Sequence, residues 1–140
     1  MADGSQENKP KVVKTDAEWK AQLSPLQYNV ARKAGTERAF SDNGHDRKEK
    51  GTYRCICCQT PLYHSDAKYN SGTGWPSFFA PIDKDAVAFR EDRGLFSVRT
   101  EVICSTCHAH LGHVFEDGPR PTGLRFCMNG AAMQFEKEEE

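Results

Sequence analysis

No run of apolar residues in this sequence approaches the roughly 20 needed to cross a bilayer. An excess of charge of either sign is missing too: 19 Lys and Arg stand against 20 Asp and Glu, a formal net charge of −1. Without a basic surplus there is no electrostatic footprint for nucleic acid or an anionic membrane. The start of the chain, Met1 to Lys11, has no apolar stretch of the kind that leads a secreted protein. The expectation is a full-length protein of the reducing cytoplasm. Apolar residues make up only 37% of the 140, enough for one modest core and one domain. Cysteine, by contrast, is plentiful at six. In a reducing compartment that number points to metal binding or thiol chemistry rather than a disulfide framework.

Residues 1–14 are polar and aperiodic and read as a disordered arm. Thr15 with Glu18, and Ser24 with Gln27, are two capping-box patterns, in which each side chain can satisfy a backbone N–H left over at a helix start. Pro25 suits the first helical position. Trp19 and Leu23 share one helical face, Leu26, Val30 and Ala34 another, and Gly35 is the expected stop. From Lys50 the texture becomes β. Phe96, Val98, Thr100 and Val102 alternate with Ser97, Arg99 and Glu101. Residues 52–56, 86–90, 111–115, 124–129 and 132–135 are further strand candidates. A mainly β fold follows two short helices, with one domain over 15–136 and a solvated acidic tail at 137–140.

Cys55-Ile56-Cys57-Cys58 and Cys104-Ser105-Thr106-Cys107 each hold a Cys-X-X-Cys pair. A two-residue gap lets both thiolates of a turn reach one metal, and two such turns complete a tetrahedron of the kind zinc prefers. The 45 residues 59–103 between the pairs require the fold to bring the turns together. Four thiolates leave no open position, so a structural Zn2+ there is no Lewis acid. A redox pair explains one motif and leaves the other idle.

Cys57 and Cys127 remain. On a strand, Arg125, Cys127 and Asn129 point to one face. A guanidinium beside a thiol favours the thiolate, and an amide can orient the sulfur. An activated nucleophile and an inert buried cysteine both stand open on this pattern. Three of the five histidines, His108, His110 and His113, crowd behind the second cysteine pair, where imidazole chemistry is available near neutral pH. His108 is also placed to compete as a metal ligand, whereas His45 and His64 read as surface residues. In the loop Ser71-Gly72-Thr73-Gly74-Trp75-Pro76-Ser77-Phe78-Phe79 the glycines suit a tight turn. Its aromatics suit either core packing or the wall of a small-ligand pocket.

Five motifs together, Cys55-X-X-Cys58, SGTGWPSFF (71–79), Cys104-X-X-Cys107, HLGHVFEDGP (110–119) and RFCMN (125–129), carry a resemblance. From about Asp16 to Phe135 the chain resembles the type B methionine sulfoxide reductases, an enzyme class that reverses methionine oxidation. The resemblance implies two antiparallel sheets with N-terminal helices, and a zinc site away from the active site. It implies Cys127 as sulfur nucleophile, His110 and His113 handling the substrate oxygen, and Asn129 and Arg125 supporting them. Asp117 matches the acidic residue beside the histidines. Trp75 would be the wall for the S-methyl group, with Phe115 beside it. The implied substrate is methionine-R-sulfoxide, in proteins or free, and the implied reductant is thioredoxin or another thiol. A monomer is expected.

Many of these enzymes carry a cysteine in the Ser-Gly-X-Gly-Trp-Pro loop to condense with the sulfenic acid; Thr73 stands there in this chain. Cys57 is the one other spare thiol, in a loop pinned by metal, so direct reduction by an external thiol is expected. Two other readings compete: a zinc-ribbon binding module, which leaves Cys127 and the histidines without a role, and a thiol–disulfide oxidoreductase built on one Cys-X-X-Cys pair.

Overall fold

The computed structural model describes residues 11–40, 47–93 and 97–138. Both capping boxes form. Thr15 starts α1 (Asp16–Gln22) and Ser24 starts α2 (Pro25–Lys33), each with the reciprocal side-chain bonds to its partner three residues on. Such a cap contributes about 1 kcal/mol. The left-handed residue that ends α2 is Ala34 (φ 58°), one position before the expected Gly35. Trp19, Leu23, Val30 and Ala31 bury the inner faces of this helical pair, while Leu26 is half exposed.

Among the described residues nine strands follow: β1 (Gly51–Cys55), β2 (Pro61–His64), β3 (Lys68–Tyr69), β4 (Ser77–Phe78), β5 (Val87–Arg93), β6 (Val98–Cys104), β7 (His110–Phe115), β8 (Arg125–Met128) and β9 (Met133–Lys137). They form two antiparallel sheets, β2-β1-β9 and β3-β4-β8-β7-β6-β5. Between the sheets, Tyr63 of β2 stacks on Phe78 of β4 with ring centroids 4.4 Å apart, and Tyr53 of β1 meets the same ring edge-on at 5.1 Å. Leu62, Val102, Leu111 and Met128 are fully buried around them. Aromatic pairs of this kind add about 0.5–1.5 kcal/mol each beyond the area they bury.

Three strands escape the sequence pattern. β3 and β4 have two residues each, too short for a period, and β2 opens with a proline. The alternation through β6 also fails as a guide to burial. Val98 is 55% exposed, whereas Glu101, on the face expected to meet solvent, is 8% exposed. The last four residues of β6 are covered on both faces. Phe96 and His45 lie outside the described residues. At the chain ends, the N–H groups of Lys11 and Val12 donate to the Thr106 carbonyl (2.6 and 3.0 Å), and Lys137 closes β9 opposite Gly51.

Candidate active site

Each cysteine pair sits on a turn that ends a strand, and the two turns share one geometry. At the end of β1, Gln59 N–H donates to Cys55 O (2.9 Å) and Cys55 N–H to Thr60 O (2.9 Å), with Gln59 left-handed at φ 67°. At the end of β6, His108 N–H donates to Cys104 O (2.8 Å) and Cys104 N–H to Ala109 O (2.9 Å), with His108 left-handed at φ 62°. A non-glycine residue in this region is uncommon, and both examples reverse the chain directly behind a cysteine pair. His108 is therefore a turn residue, outside the ligand set.

The four Sγ atoms of Cys55, Cys58, Cys104 and Cys107 lie within 4.8 Å of one another. Cys55–Cys107 and Cys58–Cys104 are 3.6 and 3.5 Å apart. Metal–sulfur bonds of about 2.3 Å in a tetrahedron give edges of about 3.8 Å, so the thiols stand where a tetrahedral metal ion needs them. Because β1 and β6 belong to different sheets, an ion there joins the two. Arg32 on α2 reaches the same turn, donating to Cys107 O (3.2 Å) and lying 3.6 Å from its Sγ, while its guanidinium stacks 4.3 Å over Trp19.

The remaining chemistry gathers at a pocket of about 300 Å³ on the six-stranded sheet. Cys127, on β8, lines it. In register, Ser77 of β4 stands on one side of Cys127 and His113 of β7 on the other. Gly112 admits this close packing, since a Cβ there would fall 2.1 Å from the Cys127 carbonyl. Gly72 and Gly74 do form the expected turn, both at positive φ, and it carries Thr73 and Trp75 to the pocket wall. Arg125, Phe115 and Asn129 complete the expected lining. His110 is close by, its ring centroid 5.5 Å from that of His113, but it is buried behind the pocket and absent from its lining.

Several expected contacts are replaced by others. Asp117 does not touch the histidines; it is mostly exposed and holds Arg125 with two bonds (2.9 and 3.2 Å). The guanidinium so held lies 4.4 Å over the Phe115 ring. With its charge shared with Asp117, Arg125 does not win at Cys127. Burial pushes the thiol above its ordinary value, and the Thr73 hydroxyl and then Arg125 offset that in part. The carboxylates that serve the histidines are Glu101, 2.6 Å from His110 Nδ1, and Asp92, 2.8 Å from His113 Nε2. Burial holds His110 below the usual histidine range, against the pull of Glu101. Its Nε2 is buried without a hydrogen-bond partner among the described residues. Arg90 bridges Glu101 from the next strand (2.8 and 3.3 Å), and Arg99 pairs with Asp92 (3.0 Å) at the pocket rim.

Asn129 does not orient the sulfur. Its Oδ1 accepts from Glu37 N–H (3.0 Å) and its Nδ2 donates to Leu111 O (3.1 Å), so its amide ties the segment after α2 to β7. Glu37 is a buried residue that no motif announced. Its carboxylate accepts from the N–H groups of Gly130 and Ala131 (both 2.8 Å), and its carbonyl accepts from the Trp75 indole N–H (3.0 Å). Asp92, Glu101 and Glu37 escaped the sequence reading because each meets its partner through strand register or a loop return. The one local hint was Glu101, a charge inside an otherwise apolar strand end.

Cys57 is buried at the first cysteine turn, where its carbonyl accepts from Gln22 Nε2 (2.8 Å), and it does not line the pocket. His64 stands apart, receiving the Asp66 N–H (3.0 Å) after β2. No helix among the described residues is long and apolar enough to cross a membrane.

Comparison with known proteins bears on both sites. Residues 23–137 match the family model described as the SelR domain. The chain is 55% identical over 126 residues to "Peptide methionine sulfoxide reductase MsrB" of Herminiimonas arsenicoxydans, covering 90% of this chain and 92% of the relative. To the protein of the same name from Hahella chejuensis it is 54% identical over 125 residues, 89% and 90% of the two chains. To that from Acinetobacter baumannii it is 52% identical over 130, 93% and 94%. The chain belongs to the SelR family, the type B methionine sulfoxide reductases.

Proposed function

We propose that Cys127 is the nucleophile with which this reductase returns methionine-R-sulfoxide to methionine, within a single reductase domain spanning 15–136. Membership of the family makes the protein an oxidoreductase acting on methionine sulfoxide with a thiol as reductant. The observation that carries the residue assignment is Cys127 in the pocket lining, flanked in register by His113, with Trp75 and Phe115 in the same lining.

The chemistry follows from the substrate. The sulfoxide oxygen leaves poorly until it is protonated, so thiolate attack on sulfur must be matched by proton delivery to oxygen. Cys127 Sγ forms the new bond to the substrate sulfur, and the oxygen takes a proton from imidazolium. Transfer of that hydroxyl to Cys127 breaks the substrate's sulfur–oxygen bond and the bond between the two sulfurs, leaving the thioether of methionine and a Cys127 sulfenic acid. His113, facing the pocket, is the donor of this proposal, held by Asp92, while His110 on Glu101 supports it from behind. Trp75 and Phe115 receive the S-methyl group; Arg125, fixed by Asp117, lines the pocket beside the sulfur; Asn129 braces the wall. Three separate contacts, for methyl, oxygen and sulfur, are what discrimination between sulfur epimers requires.

The ion held by Cys55, Cys58, Cys104 and Cys107 is Zn2+ in this reading, supported by the all-thiolate set and its tetrahedral spacing. Bound there it has no open position, so it cross-links the sheets and leaves the reaction to the other residues. A thioredoxin-type protein or a small thiol then reduces the sulfenic acid, regenerating Cys127 and releasing water. The protein acts as a cytoplasmic monomer on free and protein-bound sulfoxide. A zinc-ribbon binding module would give Cys127 and its pocket no task.

The test is turnover of each methionine sulfoxide epimer with dithiothreitol as reductant. The R epimer is expected to be consumed and the S epimer left; equal consumption of both, or of neither, refutes the assignment. A second result concerns recycling. Thr73 Oγ1 lies 3.9 Å from Cys127 Sγ, so Thr73→Cys places a second thiol one side-chain rotation from the roughly 2.05 Å of a disulfide. After one turnover without reductant, Thr73→Cys is expected to show a 73–127 disulfide by mass spectrometry. The wild type is expected to show a sulfenic acid trapped by dimedone. A Cys57–Cys127 disulfide in the wild type would contradict reduction by an external thiol.

A further inference from the structure

Three hydroxyls stand in line behind Cys127. Thr73 Oγ1 is 3.9 Å from Cys127 Sγ, Ser71 Oγ is 2.8 Å from Thr73 Oγ1, and Ser77 Oγ is 2.7 Å from Ser71 Oγ. Ser77, fully buried, also lies 3.1 Å from the Trp75 carbonyl. Two backbone amides occupy part of the acceptor capacity: Thr73 N–H donates to Ser71 Oγ (3.3 Å) and Trp75 N–H to Thr73 Oγ1 (3.4 Å).

A hydroxyl has one proton to give and two lone pairs to receive. With the two amides fixed, the row has two orientations in which each hydroxyl–hydroxyl contact carries one proton and every hydroxyl proton finds an acceptor. In the first, the Cys127 S–H donates to Thr73, Thr73 to Ser71, Ser71 to Ser77, and Ser77 to the Trp75 carbonyl. In the second, every hydroxyl turns round: Ser77 donates to Ser71, Ser71 to Thr73, and Thr73 to the sulfur. The first suits a thiol, which has a proton to start the row. The second suits a thiolate, which has none and needs a donor.

We infer that Ser77, Ser71 and Thr73 form a hydroxyl chain that reverses direction as Cys127 ionises, so that Thr73 donates a hydrogen bond to the thiolate. The inference rests on Cys127 being the nucleophile. Thr73, touching the reacting sulfur, is a catalytic residue; Ser71 and Ser77 are positioning residues that decide which way its proton points. The family's common cysteine at this position would supply a thiol for recycling. Here the same place supplies a stronger donor to the attacking sulfur. Other groups face that sulfur as well: the Ser77 hydroxyl from β4, which bonds it directly and favours the thiolate, Arg125 on its own strand held by Asp117, His113 on β7 held by Asp92, Tyr69 on β3, and Arg99 at the rim. Substituting a hydroxyl residue leaves all of these charges in place.

Counting bonds gives opposite signs for Thr73 and for Ser71, which does not touch the sulfur. Removing the Thr73 hydroxyl takes a charge-assisted bond from the thiolate and only a weak S–H bond from the thiol. Removing the Ser71 hydroxyl strands the Thr73 proton in the thiol orientation, whereas in the thiolate orientation the Thr73 proton still has the sulfur and Ser77 still has the Trp75 carbonyl. The first change disfavours ionisation and the second favours it.

The experiment is the pH dependence of Cys127 alkylation by iodoacetamide in the metal-loaded full chain, read on the Cys127 peptide by mass spectrometry. Thr73→Val is expected to move the midpoint up and slow alkylation at pH 7 about tenfold. Thr73→Ser, which keeps the hydroxyl, is expected to hold the wild-type profile. Ser71→Ala is expected to move the midpoint down and speed alkylation at pH 7 about fivefold. Loss of packing alone would not shift the two midpoints in opposite directions. An unchanged midpoint in either variant, or an upward shift in both, overturns the chain. Alkylation needs no sulfoxide, so its outcome is separate from that of the epimer test: failure there refutes the reductase assignment, failure here the hydroxyl chain.

Discussion

Cys127→Ser is expected to fold, to keep its metal, and to reduce methionine sulfoxide at least about three orders of magnitude more slowly than the wild type. The size follows from what the sulfur does. In the proposed reaction it forms the bond to the substrate sulfur and then carries the oxygen away, and a serine hydroxyl of far higher pKa would do neither at neutral pH. Folding is spared because the side chain is half-buried and lines the pocket. A serine there exchanges one small polar group for another, and Thr73 Oγ1 remains beside it. Steady-state turnover of the R epimer, with metal content and circular dichroism on the same sample, reads both halves of the expectation. Turnover within tenfold of the wild type would remove Cys127 from the mechanism.

Cys104→Ser is expected to do the reverse, costing the fold before the chemistry. Cys104 is fully buried at the end of β6, and its Sγ is 3.5 Å from that of Cys58, which belongs to a turn of the other sheet. A closed four-thiolate site contributes on the order of 10 kcal/mol to folding. A domain of this size has a total stability of only about 5–15 kcal/mol, so loss of one ligand is enough to populate the unfolded chain. Arg32, whose guanidinium reaches the same turn from α2, would lose its anchor with it, and the helical pair should loosen in step. Thermal melting and metal analysis check this. A variant that melts within a few degrees of the wild type with a full equivalent of metal would show the site to be dispensable. The contrast between the two substitutions separates the sulfur that reacts from the sulfurs that hold the fold.

What the sequence determined by itself was whatever its chemistry writes locally. Thr15 with Glu18 and Ser24 with Gln27 marked both helix starts, because a capping box is closed by residues three apart. Both Cys-X-X-Cys pairs declared a four-thiolate site, because one turn sets each pair's reach. RFCMN on a strand put Arg125, Cys127 and Asn129 on one face, and they do line one pocket. Tertiary structure decided how those residues are wired. The choice of Asp117 for Arg125 rather than for a histidine comes from its side chain reaching Arg125 on β8. Pairing of His113 with Asp92 and of His110 with Glu101 comes from the stacking of β5, β6 and β7. Glu37 became the brace behind Trp75 and Asn129 because the segment after α2 returns across β8. Above all, the thiol for which the sequence left activated and inert readings open is pushed up, because burial acts on it while the neighbouring arginine's charge is shared with Asp117. Spacing along a chain fixes which groups share a turn or a face. Charge and proton balance depend on distances between segments, and those exist only once the sheets are assembled.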